Sequence, residues 1–215
     1  MNRDMVPMLR SALGRGFEVL VLTNAMRPMR RFEDALKALV LEHGGRLTMR
    51  VSLDHHSRAV HEAERGAGSW DKALDGLKWL SDHGFRLAVA GRRFGGESEA
   101  EARESYDRLF SGLGVNIGAG LVLFPEMDAA ADVPEISEAC WGILGVAPGA
   151  MMCASSRMVV KHKGADRPIV VACTLLPYDP RFALGDTLVG ARHQVMLNHP
   201  HCARFCVLGG ASCSG

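Results

Sequence analysis

Six cysteines stand at positions 140, 153, 173, 202, 206 and 213 of the 215-residue chain, and none precedes residue 140. Grouped cysteines in a chain without secretory features point to metal or redox chemistry rather than to disulfides. The stretch RMVVKHKGADRPIVVAC (157–173) carries two β-branched runs around Gly164, Ala165 and Asp166, which predicts a β-hairpin. Cys153 precedes its first strand and Cys173 ends its second, so the hairpin brings two thiols together. The tail LNHPHCARFCVLGGASCSG supplies Cys202, Cys206 and Cys213, and Cys202-x3-Cys206 suits two ligands on one helical turn or loop. Four thiolates drawn from Cys153, Cys173, Cys202, Cys206 and Cys213 satisfy a tetrahedral zinc ion or an iron–sulfur cluster. Ligand softness alone does not separate the two. Cys140, beside Trp141 in an apolar stretch, is expected in a core. His199 and His201 lie beside the tail cysteines and are taken as solvated or outer groups rather than ligands.

The elements that position these residues fall into two parts. Up to residue 124, helix and strand patterns alternate with short connections. Helices are expected at 2–13, 29–42, 70–82 and about 97–111, with strands at 17–22, 46–54, 85–91 and 115–124. The apolar strand at 17–22 has the composition of one covered on both faces. The run HHSRAVHEAERGAGS (55–69) is expected as a polar loop. Such alternation implies parallel strands with helices outside and right-handed crossovers. Ligands of these sheets sit at the carboxyl ends of the strands. Thr23 and Asn24, Ser52 and Asp54, and Arg92 and Arg93 stand at three successive strand ends and line one rim. Thr23-Asn24 and Ser52-x-Asp54 equally suit a plain structural use, as helix caps or turn formers. From residue 125 the chain changes to a connector with several Pro and Gly, then the hairpin and the cysteine tail.

Composition narrows the classes. With 47% hydrophobic residues and a formal net charge of +1, the chain is not of the disordered class. Twenty-five Lys and Arg against 24 Asp and Glu, without a long basic run, argue against nucleic acid as a partner. No apolar stretch is long enough to span a membrane, and the first residues lack a signal-peptide design. A cytoplasmic chain is expected.

Two runs carry a resemblance: GFEVLVLTNAMRPM, and RVSLDHHSRAVHEAERGAGSWDKALDGLKWLSDHGFRLAVAGR. Their TNA strand end, SLD strand end and H-x-x-x-RG-x-GSW loop resemble the later strands of radical S-adenosylmethionine (SAM) enzymes. The likeness covers residues 1 to about 124. The cysteine-bearing part resembles the SPASM or twitch extensions of that superfamily, although Cys202-x3-Cys206-x6-Cys213 departs from the usual SPASM order. The resemblance implies an α/β fold with a partial (β/α)6 barrel over 1–124 and an auxiliary [4Fe–4S] domain over 125–215. It also implies that Thr23, Asn24, Ser52, Asp54 and Arg92 face SAM or the substrate. Hydroxyls and carboxylates suit ribose, and Arg suits a carboxylate.

In that family an electron from a donor such as flavodoxin or ferredoxin cleaves SAM to a 5′-deoxyadenosyl radical. The radical then abstracts hydrogen from a peptide or a small molecule. The family's C-x3-C-x2-C loop and GGEP motif do not occur in these residues, and Gly209 stands where the tail would need a third cysteine. The expectation is therefore the carboxyl-terminal portion of such an enzyme, unable to cleave SAM by itself. An incomplete barrel exposes the edge of its first strand, so association between copies is also expected. The rival from a different class is a non-catalytic α/β binding module with a structural four-cysteine zinc site.

Overall fold

A computed structural model describes residues 4–118, 120–125 and 132–208. Four strands, β1 (Val19–Thr23), β2 (Leu47–Ser52), β3 (Arg86–Arg92) and β4 (Leu121–Phe124), run parallel in the order β1-β2-β3-β4. The helices before and between them are α1 (Met5–Gly14), α2 (Arg27–Arg30), α3 (Glu33–His43), α4 (Arg58–Arg65), α5 (Ser69–Asp82) and α6 (Glu99–Leu113). Right-handed crossovers that always step the same way place their helices on one face of the sheet. The core agrees. Leu47, Met49 and Val51 alternate inward on β2 and Leu53 follows just beyond it, with Leu87 and Val89 on β3, against Leu36 of α3, Leu77 and Leu80 of α5 and Tyr106 of α6. The opposite face carries Thr48, Arg50, Ser52, Ala88, Ala90 and Arg92 by the same alternation.

A second unit takes in Met127–Gly215, the first ending at Glu126. Its described part holds two short helices, α7 (Ala139–Leu144) and α8 (Met152–Ser155), and an antiparallel sheet of β5 (Met158–Val160), β6 (Ile169–Val171) and β7 (Ala183–Gly185). A π-type turn spans Cys202–Val207. Val170, Phe182, Leu184 and Cys202 form its core. The hairpin is present, and Gly164 at its turn takes φ +81°, a conformation open to glycine. No helix among the described residues is long and apolar enough to cross a membrane.

Several expectations are corrected. The supposed polar loop at 55–69 contains α4, whose fully buried position is His61. A histidine in the inward place hides the apolar period that marks a helix. The helix expected at 29–42 is two: α2 starts with Pro28 near its amino end, and α3 begins after a break at Phe32. The strand expected from 115 begins at Leu121, because the backbone turns at Gly118 with φ +54°. β1 is not covered on both faces: Leu20 and Leu22 are 38% and 60% exposed. Nor is Cys140 in a core, since α7 buries none of its residues.

Candidate functional site

The carboxyl ends of the parallel strands gather most of the polar residues singled out in the sequence, and hydrogen bonds already engage several of them. Thr23 Oγ1 accepts the Ala25 N–H at 3.0 Å, and Asn24 Oδ1 accepts the Met26 N–H at 3.1 Å. Both side chains shape the turn into α2, the structural use of such residues. The turn is tightly held. Ala25 is buried with φ +56°, and a Cβ on Gly76 of α5 would lie 1.9 Å from the Ala25 carbonyl oxygen.

Asp54, 5% exposed, is the electrostatic centre of the rim. Arg65, from the end of α4, grips it with two bonds, Nε to Oδ2 at 2.6 Å and Nη2 to Oδ1 at 2.9 Å. Such a fork is the strong form of the ion pair. Arg92 stands 3.9 Å from Oδ1 and donates from Nη1 to Glu64 Oε2 at 2.9 Å. Its backbone N–H donates to the Asp54 carbonyl at 2.8 Å, which ties the ends of β2 and β3 together. Ser52, half-buried, ends β2 beside Ala90. Thus Asp54 and Arg92 come together, while Thr23 and Asn24 serve their own turn.

Around this pair lie residues the sequence reading passed over. His61 is wholly buried with neither ring nitrogen hydrogen-bonded, its ring edge-on to Trp70 at 5.6 Å between centroids. Burial holds its pKa below the ordinary 6.5, against the attraction of Asp54. Tyr106 donates to the Leu53 carbonyl at 2.7 Å, and burial pushes its phenol well above the usual range. His55, His56 and Glu97 form a further cluster at the same strand ends. Arg65 had a signal in the RG of the quoted loop, and the histidines in their place after SLD. Glu97 had none.

In the second unit, Cys153, Cys173, Cys202 and Cys206 line one pocket, with Leu176, Phe182 and His201 among its other walls. The hairpin supplies two of them: Cys153 sits on α8 just before β5, and Cys173 follows β6. Cys202 and Cys206 come from one π-type turn, so a spacing of four residues presents both to the same side. None of the four is joined in a disulfide. Burial raises the Cys153 pKa, with Cys173 adding to the effect. Burial pushes Cys202 up to about 11, and both Cys173 and Cys153 contribute. Cys213 lies outside the described residues.

Spacing bears on which centre. Among the described residues, three ligand atoms approach within 4.8 Å of one another at His55, His56 and Glu97 and at no thiol group. Tetrahedral zinc with bonds of about 2.3 Å requires sulfur atoms only about 3.8 Å apart. No three of the described thiols meet within 4.8 Å of one another. Compared with protein-family models and with curated proteins, the chain matches none.

Proposed function

We propose that these residues belong to a radical SAM enzyme carrying an auxiliary [4Fe–4S] cluster. The observation that carries the reading is the convergence of Cys153, Cys173, Cys202 and Cys206 on one pocket. Cluster iron is held by four thiolates, and this donor set, soft and walled by apolar groups, fits it.

The parallel sheet supports the other half of the reading. Strands added in the unreversed order β1-β2-β3-β4, with one helix-covered face, suit an arc of a (β/α) barrel. A doubly wound sheet reverses its strand order instead. On this reading the face bearing Thr48, Ser52, Ala88 and Ala90 turns toward the interior, and the rim around Asp54 receives SAM and substrate. Arg65 holds Asp54 in place, and Arg92, paired with Glu64 and 3.9 Å from Asp54, is the rim cation for an anionic group. Thr23 and Asn24 shape the wall of that rim rather than binding through their side-chain oxygens.

SAM cleavage in such enzymes is supplied by a separate cluster on a C-x3-C-x2-C loop. These 215 residues contain no such loop, so the chain alone is expected to bind an auxiliary cluster and not to produce 5′-deoxyadenosine. A peptide or small molecule is the substrate class, and flavodoxin or ferredoxin the class of electron donor. Anaerobic purification followed by metal analysis tests the reading. Iron and acid-labile sulfide, at about four each per chain, are expected. One colourless zinc per chain, with no iron taken up on reconstitution, overturns it in favour of a structural zinc module.

A further inference from the structure

His55 and His56 follow the carboxyl end of β2, and Glu97 stands in the loop between β3 and α6. One nitrogen or oxygen from each lies within 4.8 Å of the other two, a spacing that also suits a divalent metal. His56 Nε2 is 2.7 Å from Glu97 Oε1, His55 Nε2 is 3.6 Å from Glu97 Oε2, and the imidazole centroids are 3.9 Å apart.

A bond on the far side of His55 decides between a metal and a proton. The Ser57 backbone N–H donates to His55 Nδ1 at 3.0 Å. That nitrogen therefore presents its lone pair, and the neutral ring keeps its proton on Nε2, facing Glu97. Burial, then the neighbouring His56, holds the His55 pKa below 6.5, so the ring is neutral at pH 7. A metal on Nε2 would drive the proton onto a nitrogen that already accepts an N–H. His55 is thus a donor here and a poor ligand.

Glu97 Oε2 is buried with no hydrogen bond of normal length, so the His55 N–H is the group that faces it. An ionised carboxylate only accepts, so His56 must also point an Nε2–H at Glu97. Its Nδ1 is left bare, on a side chain that stays 20% exposed at the rim. A carboxylate that fixes one imidazole nitrogen as donor makes the other a proton acceptor.

We propose that Glu97 and His56 form an acid–base dyad at the rim, with His56 Nδ1 as the atom that takes a proton from substrate. The inference rests on the reading of the rim as the substrate site, and it names the residue that does proton work there. In the step, an N–H, O–H or activated C–H of the substrate loses its proton to His56 Nδ1 and the bonding pair stays on the substrate. The resulting imidazolium is held by Glu97. His55 is a positioning residue whose Nε2–H faces the second carboxylate oxygen at 3.6 Å.

Long-range ¹⁵N–¹H spectra of the histidine-labelled full chain test this without a substrate. Both imidazoles are expected in the Nε2–H form with bare Nδ1. Glu97→Gln replaces two acceptor oxygens by one acceptor and one donor, so one of the two rings is expected to lose its Nε2–H form. Either ring as the Nδ1–H form in the unmodified chain overturns the proposal, as do two unchanged rings in a folded E97Q chain. A zinc titration that shifts both rings with micromolar or tighter affinity also overturns it, in favour of a metal site. Acylation by diethylpyrocarbonate gives a second measure on the unmodified chain: His56 is expected to react ahead of His55, and the reverse order contradicts the assignment. Tautomers as expected in a chain that binds no iron would remove the cluster reading and leave the dyad standing.

Discussion

At the scale of single residues, the rim is governed by what Asp54 would cost without its partner. The carboxylate is 5% exposed and held by the Arg65 fork. Removing one partner of a fully buried pair costs about 3–5 kcal/mol. The Arg65 side chain is 29% exposed and Arg92 remains 3.9 Å away, so Arg65→Ala is expected to cost less, about 2–3 kcal/mol. Asp54→Asn in the same chain should recover part of that loss, as read by urea unfolding of both variants. His61 makes a pH prediction of definite sign. Its folded-state pKa lies below its ordinary 6.5, so the unfolded chain binds the extra proton first. The contribution of neutral His61 is present above pH 6.5 and is lost as the pH falls toward the depressed folded value. Asp54 and Glu62 moderate this by favouring the cation, and Arg65 reinforces it. Urea midpoints at pH 7.5 and 5.5 should differ less in His61→Leu than in the unmodified chain.

At the scale of elements, α5 and the turn after β1 are locked by close approach. A methyl on Gly76 would meet the Ala25 carbonyl carbon at 2.7 Å as well as its oxygen. Backbone atoms cannot swing aside as a side chain can. Gly76→Ala is therefore expected to destabilise by about 3 kcal/mol, the upper part of the overpacking range. Unfolding measurements that leave the variant within about 0.5 kcal/mol of the parent would contradict this contact. The elements readable in the sequence were those with an apolar period: α3, α5 and α6, whose inward places are taken by Leu36, Leu39, Leu77, Leu80, Tyr106 and Phe110. α4 was not readable, because it buries a histidine where the pattern needs a leucine. For the same reason the rim was only half legible. Asp54 and Arg92 announce themselves as strand ends, whereas Arg65 and Glu97 reach the rim from segments with no strand to mark them. The hairpin was legible from its β-branched runs. The third strand, β7, has only Ala183, Leu184 and Gly185 and carries no such signal.

At the scale of the whole molecule, helices cover one face of the parallel sheet, and on the other face Arg50 and Ala88 are buried while Leu20 and Leu22 of β1, the first strand of the sheet, are 38% and 60% exposed. An uncovered apolar edge strand pairs readily with another copy. The isolated chain is expected to associate, and Leu22→Lys to shift it toward monomer in size-exclusion and sedimentation runs. A monodisperse parent chain would count against the incomplete barrel. The cysteine pocket needs no such completion, since all four of its thiols come from the second unit. It therefore gives the most direct test of the account. Native mass spectrometry of the anaerobically reconstituted chain should show the added mass of one [4Fe–4S] cluster. That mass should disappear when Cys153, Cys173, Cys202 or Cys206 is replaced by alanine, and persist in Cys140→Ala. A chain that carries a single zinc ion, or a cluster indifferent to those four replacements, would contradict the account.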